Sequence, residues 1–337
     1  MKNRQPADPA LFRQFIRHEA ENVEAAMHED VTAVLRGNDP FLVEVIDYAL
    51  FGGGKRIRPL LAILAARICG SRDRRIYLLG AAFEYLHVAT LVHDDVIDDA
   101  KQRRGRQAVV KKYGMPVAIL AGDWLHARAM FLIGRYGGPE SLEVFCRSTA
   151  GMVDGEFLQL RYAHDCNITE PQYFDVIFRK TALLIESTCE IGAMFAGADR
   201  QRRQALKIFG HKLGTAFQVI DDLLDYQGET GNTGKKTGND FCEGKLTLPL
   251  IRTLAAADAD TGKIIKDLFA ADARKAEGIT PLSKIIEQHD GFKSARETAV
   301  SLIQEAVAAL DIFSESGERE SLSILIGLAG YILSRDR

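Results

Sequence analysis

Apolar residues recur at i, i+3 and i+4 through most of this chain. That period admits helices and little else. The pattern runs over residues 9–35, 41–50, 59–69, 76–98, 117–136, 141–162, 171–196, 202–226 and 294–314. These segments are rich in Ala, Leu, Glu, Lys and Arg, the strong helix formers. Short Gly- or Pro-bearing breaks separate them, among them GGGKR at Gly52, YGGPE at Tyr136 and GETGNTGKKTGND at Gly228. Thr169-Glu170-Pro171 reads as a helix start, with Pro in the first turn. No Asn-Gly hairpin lies between alternating runs, and no fixed-period repeat is visible. The expectation is an all-α fold of about ten or more helices in one domain over residues 1–337.

Composition narrows the function classes. Of the 337 residues 47% are hydrophobic, enough for a large core without disulfide or metal staples. Forty-three Lys+Arg against 46 Asp+Glu leave a formal charge of −3, which is not the footprint of a dedicated nucleic-acid binder. The five cysteines Cys69, Cys146, Cys166, Cys189 and Cys242 form no CxxC pair, so a reduced, cytoplasmic protein is expected. The N-terminus turns polar too soon for a signal peptide. The apolar run 59–69 is about half the length of a bilayer span, so no integral membrane segment is expected.

Two segments are out of place in an apolar helical protein. Asp94-Asp95-Val96-Ile97-Asp98 and Asp221-Asp222-Leu223-Leu224-Asp225 each set DDxxD inside an apolar stretch. Asp94 and Asp98 stand i,i+4 on one helix face, as do Asp221 and Asp225. Like charges so placed destabilise a helix, and something positive must offset them. Oxygen-only donors without His or Cys at ligand spacing suit hard cations such as Mg²⁺. Mg²⁺ fills the rest of its shell with water and phosphate, which points to a diphosphate ligand. Asp221 lies 127 residues after Asp94, so both clusters can serve one site only through the fold. Cations are at hand. Lys55, Arg56 and Arg58 sit on a Gly-rich turn before a helix, where an anion is favoured. Arg103 and Arg104 follow the first cluster, and Lys180 and Lys235 are further candidates. Neither this turn nor GNTGKKT is a Walker loop.

These residues together resemble the all-trans polyprenyl diphosphate synthases. The likeness runs in order over residues 55–245: GGGKRIRP, HVATLVHDDVIDD, RRG, AGDWL, GEFLQL, KTA, GTAFQVIDDLLDY, GK, GND and EGKLTLP. It implies a single antiparallel helical bundle around a deep central cavity, and a homodimer. By resemblance Asp94, Asp95, Asp98, Asp221, Asp222 and Asp225 bind metal, about three Mg²⁺ per site with Mn²⁺ as a substitute. Asp94, Asp95, Asp98, Lys180, Asp221 and Asp222 carry the catalysis. Lys55, Arg58, His87 and Arg104 match the isopentenyl diphosphate pocket. Arg103, Lys180, Thr181, Gln218, Lys235 and Lys245 match the contacts to the allylic diphosphate. His93, His126 and His164 are expected to be structural. One departure stands out: after RRG the family usually has a short spacer and Pro, where this chain has Arg106-Gln107-Ala108.

The implied reaction lengthens an allylic diphosphate by one isopentenyl unit at a time. Ala89 and Thr90, one turn before Asp94, are small where short-chain members carry bulky aromatics. A long-chain product, octaprenyl by closest likeness, is therefore expected, for quinone side chains in a membrane. Met130 and Phe131 are candidates for the floor of the tunnel. The competing readings are a short-chain farnesyl or geranylgeranyl synthase, a non-catalytic subunit of a heteromeric synthase, and an HD-type phosphohydrolase built on His87, His93 and Asp94. The subunit reading conflicts with two intact DDxxD motifs. The hydrolase reading leaves the second motif and the basic turn unexplained.

Overall fold

The computed structural model describes residues 8–227, 238–270 and 276–335. In chain order the helices are α1 (Pro9–Val34), α2 (Pro40–Leu50), α3 (Ile57–Ile68), α4 (Ile76–Ile97), α5 (Val109–Tyr113) and α6 (Met115–Tyr162). After them come α7 (Glu170–Ile177), a π-helical turn (Phe178–Ala182), α8 (Leu183–Phe195), α9 (Arg200–Gln227) and α10 (Asn239–Cys242). The chain ends with α11 (Leu248–Ala256), α12 (Ala259–Phe269), α13 (Ala276–Gln288), α14 (Gly291–Ala309), a 3₁₀ turn (Leu310–Phe313) and α15 (Arg319–Leu333). The only strands among the described residues are β1 (Gln102–Arg103) and β2 (Arg106–Gln107). The all-α expectation holds.

Local chemistry sets the boundaries. The Asp8 and Asp39 carboxylates cap α1 and α2 by accepting backbone N–H bonds, each followed by Pro in the first turn. Thr169 and Gln172 form a capping box at the start of α7, where the sequence places a helix start. In α6 the backbone leaves the helical region at Gly138, φ 81°, ahead of Pro139, so its two halves are separate helices. Helices α11–α13 and α15 lie outside the periodic segments read from the sequence.

The chain divides into two compact units. One comprises Met1–Cys146, Ser187–Leu206 and Phe313–Leu325, the other Arg147–Glu186, Lys207–Ile312 and Ile326–Arg337. In the first, α3 packs along α4, and both pack on α1. Residues 59–66 of α3 are all buried, which explains the uninterrupted apolar run: a helix apolar all round is a core helix. In the second, α11 packs on α14, α13 and α7. Helices α4 and α6 are long and apolar enough to cross a membrane by length and composition. The apolar window of α4 is 67% buried inside the protein, as in a core helix, and α6 is broken at Gly138.

Candidate active site

In the first unit the C-terminal turn of α4 carries the first carboxylate cluster. Asp94 is half-buried and Asp98 is exposed, whereas Asp95 is only 2% exposed. Arg103 turns inward onto Asp95, donating from Nε at 2.9 Å. The RRG motif proves to be a hairpin, with Gln102 opposite Gln107 and Arg103 opposite Arg106. Its two turn residues, Arg104 (φ 52°) and Gly105 (φ 74°), both take the left-handed conformation that two-residue hairpins require. An Arg in place of the usual Asn or Asp disguises that signal. Left-handed backbone in a non-glycine residue costs roughly 1–2 kcal/mol and concentrates at functional sites.

The Gly-rich turn before α3 lies beside this hairpin, and Arg104 donates to the Gly53 carbonyl. Its three cations do different work. Arg56 is buried and donates to Glu84 at 2.7 Å, to Glu24 at 3.0 Å and to the Leu50 carbonyl at 3.1 Å, so it anchors the turn. Lys55 is exposed, and Arg58 is half-buried with a buried Nε that no protein group accepts. Burial lowers the pKa of Arg58 and of Arg104. His87 is held well below the ordinary histidine value by loss of hydration, then by Arg58, Arg104 and Arg103, and stays neutral. Tyr48, Gly52, Leu91, Asp95, Arg103 and Arg104 border a small cavity of about 40 Å³. Along α4, Ala89 is buried, and Thr90 is half-buried with its hydroxyl donating to the His87 carbonyl at 2.8 Å. Met130 and Phe131 of α6 are 36% and 56% exposed. His93 sits 3.5 Å from Asp123.

In the second unit α9 carries the other cluster. Asp222 is buried, accepting from the Tyr173 hydroxyl at 2.6 Å and the Gln218 amide at 2.8 Å. Burial, then Asp240, pushes its carboxyl well above the ordinary range despite those bonds. The Asp225 carboxylate accepts backbone N–H bonds from Asn239 at 3.2 Å and Asp240 at 3.0 Å. Burial, with Asp225 second, pushes Asp240 up to about 6. Asp221 is exposed and lies 3.4 Å from Arg335, whose guanidinium stands 4.5 Å over the Phe217 ring.

Lys180 and Thr181 sit in the π-helical turn, a distortion that recurs at functional sites. Two glycines make room for it. A Cβ on Gly155 would lie 2.7 Å from the Lys180 nitrogen, and one on Gly214 would lie 2.7 Å from the Ala182 Cα. The GEFLQL and GTAF segments therefore need their glycines. Lys180 pairs with Glu156 at 2.7 Å, and the Thr181 hydroxyl donates to Gln218 at 2.9 Å. Thr181, Gln218, Asp222 and Tyr173 thus form one hydrogen-bonded chain. Lys245 pairs with Glu243 and stands 3.7 Å from Asp240. Lys235 lies outside the described residues. A surface cleft of about 810 Å³ on this unit is bordered by residues 166–170 and by residues between 251 and 267, none of them a site candidate in the sequence.

Sequence reasoning missed Glu156, Tyr173, Asp240 and Arg335. Two of them, Glu156 and Asp240, lie in the segments GEFLQL and GND, and Arg335 lies near the C-terminus. Tyr173 carried no signal at all. Among the described residues no three His, Cys, Asp or Glu form a set that could hold a metal. The donors fit Mg²⁺ all the same, because that ion uses one or two carboxylates and takes its remaining oxygens from water and phosphate. Of the six carboxylates, Asp98 and Asp221 are exposed, Asp94 and Asp225 are half-buried, and Asp95 and Asp222 are buried.

The sequence pattern of the Polyprenyl synthetase family matches residues 39–286. The chain belongs to that family. It is 36% identical to octaprenyl diphosphate synthase of Escherichia coli over 293 residues, covering 86% of this chain and 88% of that one. It is 35% identical to geranylgeranyl diphosphate synthase of Sulfolobus acidocaldarius over 271 residues, covering 78% and 82%. The crystal structure of a Caulobacter crescentus polyprenyl synthase complexed with calcium and isoprenyl diphosphate superposes with TM-score 0.87 at 32% identity, covering 96% and 97%. This polyprenyl synthetase is therefore a prenyltransferase of isoprenoid biosynthesis with the isoprenoid synthase fold. Isopentenyl diphosphate and an allylic diphosphate are the substrates its family uses.

Proposed function

We propose that this enzyme is a Mg²⁺-dependent, long-chain all-trans polyprenyl diphosphate synthase, with octaprenyl diphosphate as product. Residues 1–337 act as a single catalytic domain in which both clusters work on one allylic diphosphate. The observation that carries the reading is the division of labour at α4: Asp94 and Asp98 face outward one turn apart, beside a turn and hairpin that present Lys55, Arg58 and Arg104. Mg²⁺ held by Asp94, Asp98, Asp221 and Asp225, about three ions per site, would neutralise the charge that builds on departing diphosphate.

The remaining work falls to this chain's own groups. Lys55, Arg58, Arg104 and neutral His87 bind isopentenyl diphosphate. Arg103, Lys180, Thr181, Gln218, Lys235 and Lys245 orient the allylic diphosphate, which draws Lys180 from Glu156. The isopentenyl double bond attacks C1 of the allyl group as the C1–oxygen bond breaks. A proton then leaves to give the trans alkene. Apolar walls exclude water, which would otherwise trap the cation.

Chain length is set by Ala89 and Thr90, whose small side chains leave the growing tail a path. Incubation with farnesyl diphosphate, labelled isopentenyl diphosphate and Mg²⁺, followed by product sizing, tests this. Octaprenyl diphosphate is expected, and Ala89→Phe shortens it. Geranylgeranyl diphosphate as the end product would establish the short-chain reading, which the Sulfolobus relative favours. The protein works as a cytoplasmic homodimer. Exposed Met115, Ile119, Leu120, Met130 and Phe131 give α6 an apolar surface suited to a second copy. Leu120→Glu yields a monomer in light scattering if that surface is the interface.

A further inference from the structure

In the hairpin of the RRG motif, Arg106 and Gln107 both meet a side chain that no sequence signal marked. Tyr48 lies on α2, half-buried. Its hydroxyl donates to the Gln107 carbonyl at 2.9 Å. The Arg106 guanidinium stands 4.0 Å from its ring centre, and the Lys112 ammonium stands 3.9 Å from it. Arg106 also donates to the Phe51 carbonyl at 3.4 Å, at the end of α2. Arg104, in the turn of the same hairpin, donates to the Gly53 carbonyl. Tyr48 and Arg106 therefore tie α2 to the hairpin, and Arg104 ties the hairpin to the Gly-rich turn.

We propose that Tyr48 is a positioning residue for the isopentenyl diphosphate pocket, holding the hairpin and the Gly-rich turn at the spacing that lets Arg104, Lys55 and Arg58 grip one diphosphate. This rests on the assignment of those three cations to that substrate. The physical reason for a ring at this place is charge. Arg58 and Arg104 repel each other, and Arg106 and Lys112, the latter 3.7 Å from Glu44, crowd one ring. A carboxylate would hold the hairpin but would compete with diphosphate for the arginines. An aromatic face attracts Arg106 and Lys112 through its quadrupole while leaving the net positive charge intact for the substrate. The Gln107 carbonyl and the Arg106 side chain supply the contacts by which Tyr48 holds the hairpin.

Steady-state kinetics of Tyr48→Leu, Tyr48→Phe, Arg106→Leu and Arg104→Ala, varying each substrate separately, test the proposal. Tyr48→Leu is expected to raise KM for isopentenyl diphosphate about tenfold, the loss of two partly exposed cation–π contacts and one hydrogen bond. KM for the allylic diphosphate and kcat stay within about twofold. Tyr48→Phe keeps the ring and raises the isopentenyl KM by no more than about threefold. Arg106→Leu, which leaves the ring its Lys112 contact, gives a smaller rise in the same KM, and the double variant with Tyr48→Leu is no worse than Tyr48→Leu alone. The proposal is overturned if Arg104→Ala raises the isopentenyl KM while Tyr48→Leu and Arg106→Leu do not. It is also overturned if the Tyr48 variants degrade both KM values and kcat together, as general loss of structure would. An Arg104→Ala enzyme with unchanged isopentenyl KM overturns the pocket assignment, and the role of Tyr48 with it.

Discussion

The two DDxxD motifs are identical in pattern and opposite in surroundings. The middle aspartate is buried in both, Asp95 at 2% and Asp222 at 3% exposure. Asp95 answers a full charge, the guanidinium of Arg103. Asp222 answers two neutral donors, Tyr173 and Gln218, and its carboxyl is pushed toward the protonated form. In the second motif Asp221 also has a partner of its own, Arg335 at 3.4 Å. A motif defined by spacing alone thus fixes which oxygens face outward. Its electrostatics come from residues far away in sequence.

Substituting the middle residues tests that contrast most strongly. Asp95→Asn leaves Arg103 without its counter-ion. Breaking a buried pair costs about 3–5 kcal/mol, and the partial exposure of Arg103 reduces this to about 2 kcal/mol. Asp222→Asn, replacing a carboxyl already biased to its neutral form, changes stability by less than about 1 kcal/mol. Urea unfolding of the pair measures both, and equal losses would erase the distinction. Tyr173→Phe removes a donor from Asp222 and costs about 1 kcal/mol in the same assay.

A pH series sharpens the first half of the comparison. His87 is depressed in the folded state, so the unfolded chain binds more protons below the ordinary value of about 6.5. Its contribution to stability is therefore complete above that value and is lost as pH falls below it. His87→Gln removes this penalty, so the melting temperature of the variant relative to wild type rises between pH 7.5 and pH 5. A constant difference would show that His87 is not held neutral. The smallest effect is expected at Arg335→Gln. Arg335 is largely buried but Asp221 is exposed, and a pair with one solvated partner contributes about 0.5 kcal/mol to stability, weakened at high salt.

The helical architecture was legible because periodicity reports burial one segment at a time. The long helices α1, α4 and α9 stand close to where the pattern puts them. The hairpin was hidden by its two-residue strands and its Arg-Gly turn. At the site, both carboxylate motifs and the arginines after the first could be read from residue type and spacing. The roles within each motif could not. That Asp222 turns inward depends on Tyr173, 49 residues earlier, and that Arg56 is an anchor depends on Glu24 and Glu84. Such pairings exist only after the chain has folded.

The central claim is that outward-facing carboxylates of both clusters serve one metal-assisted departure of diphosphate. Turnover of farnesyl diphosphate with labelled isopentenyl diphosphate and Mg²⁺ by Asp94→Ala and Asp221→Ala tests it most directly. Each variant is expected to lose about three or more orders of magnitude in rate while keeping its helical circular dichroism. Near-wild-type turnover in either folded variant would contradict the account.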